Sequence, residues 1–436
     1  MRIEDQINNM INSLGDEYKI LEYVYNDNSK FVPGVTPVYY SGPYWNNEEV
    51  IVAIKTLLTG KWLSSGENVK MFENEFARKI NNRYAVMVNS GSSANLVLIA
   101  ALKKYFKWQD QDEIIVSVVG FPTTIAPIVQ NNLKPIFIDI EMNTLNFDLN
   151  KIEEKITSKT KAIFLSPVLG NPPDMYRLID ICKKHKMELV LDNCDSLGTT
   201  WDKLYLNECA VASSNSFYPS HHITTGEGGM VISNNKDIIR IARSIAWWGR
   251  DCFCVGSANL ISHGSCGNRF DKWLDGYDGI IDHKYVFVNM GYNLKPLDFQ
   301  GSIGLIQLKK LDEIHERRKN SKRVISELFK KYISGIYIPE ELENADTSWF
   351  GTPIVCKNKK LKNKLVEYLE SNKIQTRNYF AGNILLHPGY KHLDDFSKYP
   401  EANKVLDLVF FIGASPHYQQ NVFDYIEDCL RRFENV

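Results

Sequence analysis

Five short, almost uninterrupted apolar runs, separated by helix-length segments, constrain the fold of this chain more than any other feature. Segments of helical pattern, such as 93–106 and 174–186, lie between the runs. Runs of this kind are typical of strands that are covered on both faces. The alternation therefore predicts an α/β fold, with a mainly parallel sheet and helices on both of its sides. The runs are YAVMV (84–88), EIIVSVV (113–119), PIFIDI (135–140), AIFLSPV (162–168) and ELVLDN (188–193).

The pattern changes after about residue 290. Residues 297–333 have the periodicity of long helices, and the strand and helix patterns that follow predict a smaller α+β domain over 291–436. We predict an N-terminal arm over 1–40 and a large cofactor-binding domain over 41–290. Within the large domain, 250–284 has no clear periodicity and predicts a long excursion, a feature that is uncommon unless it has a function.

Composition narrows the class of protein. The chain has 436 residues and a formal net charge of −1, so it has no electrostatic bias toward nucleic acid. Its acidic N-terminus lacks the features of a secretory signal, and no apolar window is long enough for a membrane span. We therefore expect a soluble, cytoplasmic protein without nucleic-acid or membrane partners. In that reducing compartment the eight cysteines are not expected to form disulfides, and a cluster of them suggests a metal or redox role.

Two polar motifs follow predicted strands. The stretch VNSGSSANL (88–96) opens a helix, where backbone N–H groups bind phosphate, although such Gly-Ser turns are also common helix caps. The stretch LDNCDS (191–196) places Asp192 at the carboxyl edge of the sheet, where α/β proteins bind ligands. A carboxylate there pairs with the protonated ring nitrogen of a pyridoxal-type cofactor. The alternative is that Asp192 caps the next helix.

Taken in order along the chain, these motifs resemble the DegT-type sugar aminotransferase family. The resemblance implies the aspartate aminotransferase-like, fold-type I architecture, an α/β fold with a mainly parallel large domain and a smaller α+β C-terminal domain. It covers most of the chain and rests on GKWLSSGENVKMFENEFA (60–77), NSGSSANL (89–96), FPTTIAPIVQNNLKPIFIDI (121–140), LDNCDS (191–196), SFYPSHHITTGEGGMV (216–231) and GYNLKPLDFQGSIGLIQL (291–308).

The resemblance also implies the cofactor contacts. Phe121 corresponds to the aromatic residue that stacks on the pyridine ring, and Asp192 to the carboxylate on the ring nitrogen. Asn293 corresponds to a phosphate ligand that the neighbouring subunit supplies, so the resemblance implies a homodimer. The residues that correspond to the phosphate site of the same chain are Gly91, Ser92, Ser93 and Ser216.

The motif at Ser216 departs from the family in one position. Aminotransferases of this family carry, five residues after that serine, the lysine that binds the cofactor covalently, and this chain has His221 there. Histidine cannot make that bond, so we expect pyridoxamine 5′-phosphate, held non-covalently. A neutral imidazole can still remove a proton from the cofactor methylene, which makes His221 the candidate base. We expect His222 to be a packing or hydrogen-bonding neighbour.

Histidine at this position resembles the pyridoxamine-dependent nucleotide-sugar 3-dehydrases. One kind of these enzymes is metal-free and regenerates its cofactor with glutamate, and the other carries a 2Fe-2S cluster. Cys194, Cys252, Cys254 and Cys266, separated by 57, one and 11 residues, resemble the ligands of the second kind. The last gap is longer than in that family, so Cys266 is the ligand with the weakest support. Four thiolates also form zinc sites, an alternative that the sequence leaves open.

The resemblance implies a CDP-4-keto-6-deoxy-D-glucose 3-dehydrase, which removes the carbon 3 hydroxyl in the biosynthesis of 3,6-dideoxyhexoses of lipopolysaccharide O-antigens. Because the chain has no Gly-rich dinucleotide motif, we expect electrons from a separate NAD(P)H-dependent flavin/iron–sulfur reductase. Asp195 and Tyr218 correspond to positions near the cofactor hydroxyl and the electron route, and Arg377 to a contact with the substrate diphosphate. The alternatives are a metal-free, glutamate-coupled 3-dehydratase, a sugar aminotransferase, and a non-catalytic regulatory member of the family.

Overall fold

The computed structural model describes residues 2–14, 31–252, 269–271 and 274–433. Within these ranges the strands are β1 (Tyr84–Val88), β2 (Glu113–Ser117), β3 (Lys134–Ile138), β4 (Thr160–Leu165), β5 (Glu188–Asp192), β6 (Thr200–Trp201), β7 (Leu204–Tyr205), β8 (Ala212–Ser216), β9 (Gly229–Ser233), β10 (Ile336–Tyr337), β11 (Ala345–Asp346), β12 (Gly351–Cys356), β13 (Thr376–Asn378) and β14 (Val409–Gly413).

The α-helices of the described ranges alternate with these strands in the first half of the chain. They are α1 (Ile3–Ser13), α2 (Asn47–Thr59), α3 (Glu67–Lys79), α4 (Gly91–Phe106), α5 (Pro122–Gln130), α6 (Met175–His185), α7 (Lys236–Ala246), α8 (Asp298–Tyr332), α9 (Lys359–Ser371), α10 (Ala402–Leu408) and α11 (Gln420–Phe433).

A seven-stranded sheet forms the centre of the molecule. Its strand order is β1-β9-β8-β5-β4-β2-β3, and β9 pairs antiparallel with both of its neighbours while the other pairings are parallel. In every strand of this sheet except β8, alternate residues enter apolar clusters on opposite faces, as Ile114 and Ile115 do. The prediction of a mainly parallel sheet covered on both faces is therefore confirmed.

A second sheet lies in the C-terminal part of the chain. Its order is β10-β12-β14-β13, with every pairing antiparallel, and α9 and α11 pack their apolar residues against it. A short three-stranded sheet, β11-β6-β7, pairs a segment of this part with a hairpin that follows β5. This arrangement confirms the predicted α+β character of the C-terminal part.

One long helix links the two sheets. The sequence predicted long helices over 297–333, and the structure has a single 35-residue helix, α8. Its first half packs Leu311 and Ile314 against the helices that cover the large sheet. Its second half packs Ile325 and Phe329 into the core of the second sheet. Between these two apolar stretches lies Arg318, whose side chain is fully buried.

Two predicted regions fall partly outside the described ranges. In the predicted arm, α1 packs on α2 through an ion pair between Glu4 and Lys55, and residues 15–30 are not described. Most of the predicted excursion over 250–284, including Cys254 and Cys266, also lies outside the described residues. Among the helices that the structure describes, none has the length and apolar character needed to cross a membrane.

Candidate active site

A cavity of about 840 Å³ opens at the carboxyl edge of the large sheet, where β5 and β8 end, and is closed on its other side by residues of the second sheet. Parallel strands bring their carboxyl ends to one edge, so motifs that are distant in sequence meet there. The structure brings residues from these motifs together around one cavity, whereas the role of each residue stays a prediction. The predicted site residues on its wall are Gly91, Ser92, Phe121, Asp192, Cys194, Asp195, Ser216, Tyr218, His221 and Arg377.

The N-terminus of α4 forms one end of this cavity. Ser90 caps the helix by accepting a hydrogen bond from the N–H of Ser93 at 3.1 Å. A Cβ atom at Gly91 would collide with the side chain of Ser216, so glycine allows the start of the helix to approach the end of β8. The Ser92 hydroxyl lies at the cavity and donates to Thr123 Oγ1 at 3.1 Å, whereas the Ser93 hydroxyl accepts from Ser90. The first N–H groups of α4 suit a phosphate.

Asp192, at the end of β5, has a fixed orientation. Its Oδ2 accepts hydrogen bonds from Thr124 Oγ1 at 2.7 Å and from Asn95 Nδ2 at 2.8 Å, and only 4% of the residue is exposed. The hydroxyl of Ser214 donates in turn to Asn95 Oδ1. The alternative that Asp192 caps a following helix is wrong, because residues 194–198 form turns. Asp192 is therefore a buried carboxylate with a fixed orientation at the cavity wall, and its role as a cofactor contact stays a prediction.

The two adjacent histidines point in different directions. His221 lines the cavity, with its ring centroid 5.3 Å from that of Phe350, and the pKa of its imidazole is lowered to about 3 by burial and by the charge of Arg318. His222 is 2% exposed, and its Nε2 lies 2.6 Å from the carbonyl oxygen of Ser348. The structure thus gives His222 the buried hydrogen-bonding position that we expected, and it leaves His221 at the cavity.

Asp195 is the carboxyl group that faces His221. Its Oδ1 lies 3.6 Å from His221 Nδ1, which is too long for a hydrogen bond, and its Oδ2 accepts from the N–H of Leu169 at 3.3 Å. Burial, together with the charge of Asp192, raises the pKa of Asp195 to about 7. Leu169 has a left-handed backbone (φ +56°), and this conformation directs its N–H toward the carboxyl. His221 is therefore neutral near pH 7, and Asp195 is about half protonated there.

Two aromatic side chains of the cavity are half exposed. Phe121 is 51% exposed and precedes α5, with its ring edge-on to Phe380 at a centroid distance of 6.1 Å. Tyr218 is 48% exposed, and its ring lies 6.4 Å from that of His221. Each presents an open ring surface to a ligand, which suits the predicted stacking of Phe121 on a planar cofactor.

Arg377 lies on β13, at the part of the cavity wall that the second sheet contributes. Its guanidinium is 4.2 Å above the ring of Tyr40, and it donates to the carbonyl of Thr376 at 2.7 Å. Stacking on an aromatic ring leaves the remaining N–H groups of a guanidinium free to bind an anion. A diphosphate is such an anion, so the position of Arg377 is compatible with its predicted role.

The predicted cysteine ligands are only partly within the described residues. Cys194 lines the cavity, and burial raises the pKa of its thiol well above the ordinary value, with the charges of Asp192 and Asp195 acting in the same direction. Cys252 follows Asp251, whose N–H donates to the carbonyl of Val286 at 3.0 Å. No group of three or more potential metal ligands forms among the residues that the structure describes. Cys194 and Cys252 alone do not make a metal centre, and the complete set stays a prediction.

Asn293 does not line the cavity of its own chain within the described residues. Its backbone forms a bridge with Trp247, and its side-chain oxygen accepts a hydrogen bond from Lys295. Its predicted role, as a phosphate ligand in a neighbouring subunit, stays a prediction.

The sequence did not point to Asn95, Thr124 or Arg318, because nothing local marks a residue whose partner is distant in the chain.

The sheet order, the open carboxyl edge and the fixed aspartate define the class as a fold-type I pyridoxal-phosphate protein. The chain belongs to the DegT/DnrJ/EryC1/StrS aminotransferase family, whose model matches residues 45–431. The predicted family and fold class are therefore confirmed.

Several relatives in this family are sugar dehydratases. The chain is 36% identical over 416 residues to the dTDP-4-dehydro-2,6-dideoxy-D-glucose 3-dehydratase of Saccharopolyspora spinosa, which covers 92% of this chain and 88% of that protein. It is 34% identical over 394 residues to the GDP-4-keto-6-deoxy-D-mannose 3-dehydratase of Escherichia coli O55:H7, with 87% and 96% covered.

A solved structure has the same fold. The E. coli GDP-4-keto-6-deoxy-D-mannose-3-dehydratase with bound hydrated PLP superposes with a TM-score of 0.80 at 30% identity, covering 90% of this chain and 99% of that one. That structure supports a pyridoxal-type cofactor for the family member described here. A metal centre, a reductase partner and a CDP-linked substrate have no such support.

Proposed function

We propose that this protein is a pyridoxamine 5′-phosphate-dependent 3-dehydratase of a nucleotide-linked 4-keto-6-deoxyhexose. The observation that carries the proposal is His221, which occupies the cavity wall at the motif position of the family's lysine. The two relatives named above are 3-dehydratases, and this supports the same reaction class for this chain. A sugar aminotransferase would need the lysine that this chain lacks at residue 221.

The residues of the cavity fit such a cofactor. The N-terminus of α4 would hold the phosphate, Phe121 would cover the ring, and Asp192 would hold the ring nitrogen in its protonated form. The oxygen atoms of Asp192 cannot swing away, because Thr124 and Asn95 hold Oδ2. When bound, the cofactor supplies an amine for the substrate's keto group and a ring that accepts electrons.

His221 would move the proton. Its imidazole is neutral at physiological pH, because burial and the Arg318 charge lower its pKa, so it is able to accept a proton from the cofactor methylene. Asp195, at 3.6 Å from Nδ1, faces the imidazolium that results and is the group best placed to stabilise it. The hydroxyl at sugar carbon 3 would then leave as water with the proton that His221 has taken up, and Arg377 would hold the diphosphate at the mouth of the cavity.

The proposal extends to the substrate and the source of electrons. From the cysteine pattern we expect a 2Fe-2S cluster on Cys194, Cys252, Cys254 and Cys266. The family resemblance implies a CDP-linked sugar, and the missing dinucleotide motif implies a separate reductase; the relatives named above are named for dTDP- and GDP-linked sugars. Iron analysis and the visible spectrum of anaerobically purified protein test the cluster. Red-brown absorbance supports it, and a pyridoxamine band without iron supports the glutamate-coupled alternative. Affinities for CDP, GDP and dTDP, measured side by side, test the nucleotide.

The test of the proposed base compares the two histidines. His221→Asn should slow exchange of the cofactor methylene protons with deuterated solvent by about 10²- to 10⁴-fold, the usual contribution of a general base. His222→Asn is the matched control and should slow exchange much less, because its side chain is turned into the protein interior. Exchange that survives His221→Asn but stops in His222→Asn would show that the base is the other histidine.

A further inference from the structure

Arg318 carries a charge in the interior of the protein, directly behind the His221 loop. Its side chain is fully buried between the two apolar stretches of α8. A buried guanidinium is unfavourable unless its N–H groups are hydrogen-bonded. Among the described residues its hydrogen bonds run to neutral oxygens, and no carboxylate there bonds to it directly.

Those hydrogen bonds join separate segments of the site. Nη2 donates to the carbonyls of Ser220 and His221, each at 3.2 Å. Nη1 donates to the carbonyls of Phe350 at 3.2 Å and Ala414 at 3.4 Å, which flank strands of the second sheet. The backbone that carries His221 is thus bonded, through one rigid planar group, to the part of the protein that closes the cavity.

We propose that Arg318 is a positioning residue for His221, which holds the imidazole at the cavity wall and presents a buried positive charge to it. This proposal takes one assumption from the proposed function, namely that His221 is the base. The contacts themselves are independent of any reaction. Lysine is not an equivalent residue here, because a single ammonium group cannot bond four carbonyls in the plane of a guanidinium fork.

Arg318 acts on His221 through the backbone, because its Nη2 donates to the His221 carbonyl. Asp195 is the carboxyl group that faces the ring itself, with its Oδ1 3.6 Å from His221 Nδ1. The titratable groups around the Arg318 and His221 side chains are Cys194, Asp195, Tyr218, His222, His315, His417 and Tyr418.

Two substitutions separate geometry from charge. Arg318→Lys keeps the positive charge and loses the fork, so it should lower kcat about 10-fold or more with KM changed less than 3-fold, the pattern of a misplaced base. Arg318→Gln loses both the fork and the charge, so kcat should fall at least as far and the NMR signal of the His221 ring should move. Arg323→Gln, at an exposed position of the same helix, is the matched control and should change neither property.

The position of the imidazole is followed by NMR at a single pH, on protein with isotopically labelled histidine, with the His221 signal assigned by its loss in His221→Asn. The NMR signal can be measured without turnover, so the two proposals can fail separately. If methylene exchange survives His221→Asn, the proposed function is wrong, whereas an effect of Arg318 on the His221 signal can still be observed. An unchanged His221 signal and an unchanged kcat in Arg318→Gln would overturn the proposal. If that variant does not fold, Arg318→Lys decides, since an unchanged signal and an unchanged kcat there would equally overturn it.

Discussion

Replacing Asp195 with asparagine should stabilise the apo protein at high pH while it weakens catalysis. The carboxyl side chain is 13% exposed, and burial together with Asp192 raises its pKa from 3.8 to about 7. Between these pH values the folded protein retains a proton that the unfolded chain has released. The contribution of this group to the free energy of unfolding is therefore largest at low pH and is lost as the pH rises toward 7.

The size of the effect follows from the pKa difference. The pKa of Asp195 in the folded protein is about 7. Between pH 5 and that value its contribution to the free energy of unfolding falls by about 3 kcal/mol, because each pH unit changes it by about 1.4 kcal/mol. Asparagine does not ionise, and its side-chain oxygen can still accept the hydrogen bond from Leu169. The Asp195→Asn protein should therefore lack that part of the pH dependence and be more stable than the wild type at pH 8.

Urea unfolding of the apo protein at pH 5 and pH 8 measures this difference. Between pH 5 and pH 8 the free energy of unfolding should fall by about 3 kcal/mol more in the wild type than in Asp195→Asn, because the two proteins share all other titratable groups. Glu343→Gln removes an exposed carboxyl group and should behave as the wild type. The same pH dependence in wild type and Asp195→Asn would refute the reasoning, because Asp195 would then titrate as an ordinary surface carboxyl group.

Three further predictions concern the cofactor and the cysteines. Asn293→Ala should weaken cofactor retention in equilibrium dialysis, because a neighbouring subunit would bring this residue to the phosphate; a monomer that binds the cofactor normally would contradict it. Thr124→Val removes the 2.7 Å hydrogen bond to Asp192 and should weaken cofactor binding about 5- to 10-fold, whereas an unchanged Kd would show that Asp192 needs no such support. Cys252→Ser and Cys254→Ser should abolish the iron–sulfur absorbance and the net reduction, yet leave release of the carbon 3 hydroxyl measurable. Full reductase-coupled turnover in either variant would disprove an electron relay through these cysteines.

Hydrophobic patterning predicted most of the large sheet. The apolar runs for β1 to β5 fall within three residues of the strands observed, because buried parallel strands are continuous apolar segments. Strand β8 was not predicted, since its sequence, ASSNS, is polar although every residue is buried. Two of its side chains are hydrogen-bonded to side chains inside the protein, Ser214 to Asn95 and Asn215 to Asn193, and a pairing such as the first, across 119 residues, leaves no local signal.

The candidate site was predicted as far as its motifs are local. Asp192 ends a predicted strand, and His221 was found from its place in the motif that begins at Ser216; the carboxyl edge of the sheet brings the two together. Arg318 could not be found in this way, because an arginine in a long helix is ordinarily at the surface. Its burial depends on two sheets that meet at the middle of α8, and this is a property of the tertiary structure.

The central claim is that residue 221 faces the reactive carbon of a pyridoxal-type cofactor, and His221→Lys tests it most directly. The variant is incubated with pyridoxal 5′-phosphate and reduced with borohydride, and its peptides are analysed by mass spectrometry; His222→Lys serves as the control because His222 is turned toward Ser348. The account predicts cofactor bound covalently at residue 221 in the first variant and none at residue 222 in the second. Labelling at residue 222 with none at residue 221 would contradict it.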